Sequence, residues 1–96
     1  MTVLLSPKGT FPAKIIDIIS PYQLVMNRGK QNNIQVGWRV LVYEPTIEEI
    51  QGQLECIEIV KGRGRVISVE ENEATIKLDC IRIFNDTKIG DLVKPI

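Results

Sequence analysis

Histidine is missing from this 96-residue sequence altogether. With it go the commonest general base, the commonest zinc ligand and the usual proton switch near neutral pH. Ser6, Ser20 and Ser68 are left without an imidazole, so no conventional nucleophilic triad can be assembled. Cysteine is almost missing too. Cys56 and Cys80 stand 24 positions apart without any C-x-x-C spacing, which offers too few ligands for a zinc site. Count alone allows a disulfide between them. The apolar stretch Val3-Leu4-Leu5 runs at once into Ser6-Pro7-Lys8-Gly9, however, and is too short for a signal-peptide core. We therefore read both thiols as reduced core or near-core residues of a cytoplasmic protein. No apolar run approaches the length of a membrane span, so no membrane partner is expected. Nor is there a surplus of charge. Twelve basic side chains balance twelve acidic ones, which leaves no overall field to draw in nucleic acid or an anionic surface.

Other routes to chemistry fail on geometry. Glu70 and Glu71 are adjacent on a strand and point to opposite faces, so they cannot share a site. Glu48 and Glu49 suit the amino end of a short helix, where negative charge is favourable and Glu49 completes a capping box with Thr46. Gly62-x-Gly64 has neither the third glycine nor the following helix of a dinucleotide fingerprint. The sequence predicts no enzyme, no cofactor and no metal.

What the chain does have is strand. Apolar residues make up 44% and charged residues 25%, the ordinary globular range, and the length suits a single domain over residues 1–96. Residues 1–12 read as an amino-terminal arm or extra strand. Ala13 to Ser20 is the first strong strand, closed by Pro21, and Tyr22 to Asn27 is the second. A polar loop leads to a third strand, Trp38 to Tyr43. One short helical turn is expected near residues 46–51, with Ile47 and Ile50 on one face and Gly52 as its stop. Leu54 to Lys61 and Arg65 to Glu70 follow as strands joined or bent at Gly62 and Gly64. After a turn at Glu71-Asn72-Glu73, Ala74, Ile76, Leu78 and Cys80 alternate with Thr75, Lys77 and Asp79, the pattern of a half-buried strand. Ile81 to Phe84 continue it, Asn85-Asp86-Thr87 turn, and Asp91 to Lys94 close the sheet. Six or seven short strands with almost no helix predict an all-β fold, a small closed or partly open antiparallel barrel.

One turn signature occurs twice, as Val36-Gly37-Trp38-Arg39-Val40 and Ile89-Gly90-Asp91-Leu92-Val93. In each, glycine bends the chain sharply into a β-branched run. Together with Val25-Met26-Asn27-Arg28-Gly29 and the strand Val40-Leu41-Val42-Tyr43, the first copy resembles the core pattern of a family of small SH3-like barrels. The carboxy-terminal domain of the flagellar assembly protein T belongs to that family. The resemblance spans residues 13–80 and rests on structural motifs. It implies an SH3-like barrel and carries over no catalytic residue. Trp38 stands where the family has aspartate.

Four residues are candidate contacts. Lys61, Arg63 and Arg65 put three cations in five positions, enough to touch phosphates, yet no aromatic is interleaved to stack on bases. Acid flanks them on both sides, and cross-strand pairing with it is the simpler account. Trp38 is either a core residue or a surface aromatic that marks a contact. The first strand carries Ile15-Ile16 and Ile18-Ile19, which load both of its faces and predict an apolar outer surface. The reading that follows is a non-enzymatic protein-interaction or assembly module that self-associates, with a dimer as the simplest closed form. The alternative is a small nucleic-acid-binding barrel that uses the Lys61-Arg63-Arg65 bend.

Overall fold

Period-two alternation decides most of the architecture. The computed structural model describes residues 10–79 and 87–96. Within them lie six strands: β1 (Ala13–Ser20), β2 (Gln23–Met26), β3 (Arg39–Ile50), β4 (Gln53–Val69), β5 (Ala74–Leu78) and β6 (Leu92–Pro95). All pair antiparallel, in the order β1-β2-β5-β4-β3-β6, and β6 pairs back onto β1 to close a barrel. β5 shows the alternation cleanly, with Ala74, Ile76 and Leu78 buried and Lys77 exposed. Its inward residues join Ile15, Leu24, Met26, Val40, Val42, Val66 and Val93 in one apolar core. Phe11, Ile18 and Trp38 pack against that core from its margin.

The isoleucine doublets of β1 are accommodated by slips in register. The pairing with β2 shifts between Ile15 and Asp17 and again between Ile18 and Ser20. Each slip changes which side chain faces inward. Ile15 is fully buried and Ile18 reaches the core, whereas Ile16 and Ile19 stay 38% and 56% exposed. The apolar outer surface expected of this strand is present.

Both copies of the doubled signature form the same corner. Trp38 N donates to Gln35 O at 3.3 Å and Asp91 N donates to Lys88 O at 3.1 Å. The third residue of each turn is a glycine at positive φ, +97° for Gly37 and +102° for Gly90, a conformation that type II turns reserve for glycine. Two residues past each corner residue, Val40 and Val93 enter the core fully buried.

Two expectations are corrected. Residues 46–51 are not helical: Thr46 to Ile50 extend β3, and a two-residue turn follows. Gln51 (φ +53°) and Gly52 (φ +79°) both take positive φ, as a tight hairpin requires. Thr46, Glu49 and Gly52 fit a capped helix by spacing, but Ile47, Ile50, Ile57 and Ile59 favour an extended chain once a partner strand is alongside. Among the described residues the one helical turn is a 3-10 turn at Lys30–Asn32. Secondly, Gly62 and Gly64 do not separate two strands; they lie within the 17-residue β4. The expected arm strand Val3 to Leu5, and the continuation through Ile81 to Phe84 with its turn at Asn85-Asp86, fall outside the described residues.

Candidate functional site

β3 and β4 are much longer than the barrel needs. β6 pairs with β3 only from Val40 to Tyr43, and β5 pairs with β4 only from Gly64 to Val69. From Glu44 to Val60 the two strands pair with each other alone among the described residues. The result is a two-stranded ribbon that continues β3 and β4 out of the barrel. Directly opposed residues share a face. One face carries the pairs Ile47–Cys56 and Glu49–Leu54; the other carries Glu48–Glu55 and Ile50–Gln53. Leu54 is 76% and Ile47 68% exposed. Cys56 is a free, exposed thiol, which corrects its assignment to the core: the extension of β3 turns its position into ribbon surface. Cys80 lies outside the described residues.

The ribbon leaves the barrel through a bulge. Val42 pairs with Gly62 and Tyr43 with Val60, so Lys61 is an extra residue on β4. An inserted residue breaks the alternation, and Lys61 turns inward to only 3% exposure. Its ammonium lies 3.1 Å from Glu44 Oε1 and 3.7 Å from Asp91 Oδ2. Asp91 is itself buried and also accepts a hydrogen bond from Lys88 N at 2.7 Å. The hydrogen bond from Lys61, aided by the nearby Lys88 charge, holds the Glu44 carboxyl below its ordinary range. Across the ribbon base, Lys94 pairs with Glu58 and sits 4.9 Å from the centre of the Tyr43 ring. The hydrogen bond to Glu58 raises the Lys94 ammonium above its ordinary value.

Lys61 therefore does not stand with Arg63 and Arg65. Those two are exposed on the outer face of β4, and their neighbours are not the expected acids. Arg65 stands directly opposite Arg39 on β3 and directly opposite Lys77 on β5. Three cations thus lie side by side across three strands, with Arg63 two residues along. Asp79, 3.0 Å from Arg39, supplies the one ion pair within this group among the described residues. The expectation of acid pairing holds for Lys61 and is reversed for Arg65. Alternation along β5 already put Lys77 on the outside; that it neighbours Arg65 is a matter of register, which the sequence does not display. Trp38 is half-buried against the core, and its backbone carbonyl accepts from Val66 N at 2.9 Å. It secures the first corner and takes no part in the cationic row.

Among the described residues no three His, Cys, Asp or Glu side chains gather as metal ligands, and no helix is long and apolar enough to cross a membrane. No family model matches the chain, and no curated protein matches it.

Proposed function

We propose that this protein is a non-enzymatic assembly module that binds a second copy of itself through the 44–60 ribbon. The observation that carries the reading is the exposure of Ile47 and Leu54, at 68% and 76%, on a ribbon with no third strand beside it among the described residues. A lone hairpin is marginal in water, and its open edges and apolar side chains are stabilised by contact with another surface. A reducing, cytoplasmic setting suits the exposed thiol of Cys56. Sedimentation at micromolar concentration is expected to give a species near twice the 10.9 kDa chain mass. Replacing Ile47 and Leu54 together with aspartate is expected to return it to monomer. A wild-type protein that stays monomeric across the micromolar range defeats the proposal.

A second reading has its own observation. The row Arg39, Arg65 and Lys77, with Arg63, is a cationic surface that fits a nucleic-acid backbone. Lys61 has no place in it. Binding of this kind weakens steeply with salt, with a slope set by the number of phosphates contacted. A salt titration with a short single-stranded oligonucleotide tests it.

A further inference from the structure

We infer that the ribbons of two copies stack face to face and antiparallel, joined through their outer faces alone. This rests on the assembly reading above and names the face and the direction of the contact. The register divides the ribbon into two unlike faces. Val40 and Val42 point into the barrel, so by alternation Pro45, Ile47 and Glu49 continue its outer side. Their direct partners on β4 are Glu58, Cys56 and Leu54. Glu44, Glu48 and Glu55 continue the inner side, where Glu48 stands directly opposite Glu55. Neither Glu48 nor Glu55 forms an ion pair among the described residues. Inner face laid on inner face would press these like charges together, and such juxtaposition opposes association. The outer face holds no such pair. Glu58 is neutralised by Lys94, Glu49 stands at the tip, and Ile47 and Leu54 supply the exposed apolar surface between.

Charge also sets the direction. Arg63 and Arg65 carry the outer face of β4 onto the barrel, with Lys77 beside Arg65, and none of them forms an ion pair among the described residues. Ribbons stacked in parallel, about a twofold axis along the strands, would set these cations against their own copies and Glu49 beside Glu49. An axis across the strands sends the barrels to opposite ends instead. Centred on the Ile47–Cys56 pair, it lays the Glu49–Leu54 pair of each copy over the Pro45–Glu58 pair of the other. Glu49 then reaches Lys94 of the second copy. That ammonium lies 4.9 Å from the centre of the Tyr43 ring and donates to Glu58, with N–H groups left to donate. One ammonium between two carboxylates repeats the arrangement of Lys61 with Glu44 and Asp91. Both contacts form at once and the assembly closes at two. The overlap is short beside a standard interface, which suits a dimer that dissociates on dilution.

Cross-linking reads the face. Stacked sheets lie about 10 Å apart, so the Cys56 thiols of the two copies face each other across the axis. A short bismaleimide is expected to join the dimer through Cys56 of both copies, identified by peptide mapping. With Cys56→Ala and Glu55→Cys the thiol moves to the inner face, and the yield of dimer linked through that position is expected to fall about tenfold. Charge reads the direction. Glu49→Lys opposes Lys94 at both contacts and is expected to weaken the dimer about tenfold. Glu48→Lys with Glu55→Lys is expected to leave the dissociation constant within about twofold of wild type at physiological salt. Sedimentation measures each constant. Efficient linkage through residue 55 with none through residue 56 overturns the choice of face. A Glu49→Lys dimer as tight as wild type overturns the antiparallel direction. If the Ile47→Asp, Leu54→Asp protein is monomeric where wild type is dimeric, the assembly reading survives either result. A monomeric wild type overturns both.

Discussion

The ammonium of Lys61 lies 3.7 Å from the carboxylate of Asp91, and each side chain is only 4% exposed. The pair links the bulge where the ribbon leaves the barrel to the second glycine corner, where Asp91 also accepts the Lys88 N–H. A buried ion pair contributes little over an apolar replacement of both partners, but removing one partner strands a buried charge at a cost of about 3–5 kcal/mol. Lys61→Met keeps most of the side-chain volume and is expected to destabilise in that range. The double variant with Asp91→Asn keeps an acceptor for Lys88 N and is expected to recover part of the loss. Urea midpoints at unchanged slope measure both. A Lys61→Met protein as stable as wild type removes the pair from the account of the fold.

Glycine substitutions should divide sharply by position. A Cβ on Gly29 would sit 2.2 Å from Glu70 O, and one on Gly64 would sit 2.3 Å from Lys77 O. Both obstacles are backbone that cannot give way without moving the β4–β5 hairpin. The first of these contacts lets Lys30 N and Gln31 N donate to Glu70 O and Glu71 O at 2.9 and 3.1 Å. A Cβ on Gly62 meets only the Leu78 methyls at 3.6 Å and 3.7 Å, an ordinary contact. Gly29→Ala and Gly64→Ala are expected to lower stability by about 2 kcal/mol or more. Gly62→Ala should stay within about 1 kcal/mol of wild type. Thermal unfolding of the three variants decides it, and equal losses would show the barrel is not packed this closely.

Glu44 predicts an acid limb. Its carboxyl is lowered from 4.5 by the Lys61 hydrogen bond, then by the charges of Lys88 and Lys61. A depressed folded-state value stabilises the native protein above the unfolded value, and that contribution disappears as pH falls through the folded value. Glu44→Gln should therefore be less stable than wild type at neutral pH. The two stability curves should draw together below about 4.5. Denaturation midpoints taken from neutral pH down through the carboxylate range test this, and parallel curves would reject it.

How much of this was legible in the sequence depends on whether the cause is local. Gly37 and Gly90 announce their corners because a positive φ leaves a residue signature. β5 announces its inward face because alternation is a property of adjacent residues. The ribbon was not legible in that way. Thr46, Ile47, Glu49 and Ile50 fit one helical turn and an extended strand equally well, and register with Gln53 to Ile57 settles the matter. The cationic row is a non-local fact of the same kind, since Arg39 meets Arg65 only through pairing of β3 with β4. Lys61 was misplaced among the surface cations because one inserted residue turns a side chain to the opposite face.

Cys56 offers a reporter for the ribbon without any change to its charge. The thiol is free and exposed directly opposite Ile47, on a strand edge with ready access for a reagent. In dilute protein it is expected to react with a thiol-directed label at close to the rate of an unstructured cysteine. As concentration rises through the assembly range, the rate at Cys56 should fall in step with the fraction assembled, because a ribbon laid on a second copy loses access to solvent. The Ile47→Asp, Leu54→Asp protein should show no such dependence. Peptide mapping by mass spectrometry reads Cys56 separately from Cys80. Since Cys56 is a free thiol, reductant should leave the melting temperature unchanged. A Cys56 rate that is constant over concentrations where sedimentation shows a dimer would mean the copies meet somewhere other than the ribbon.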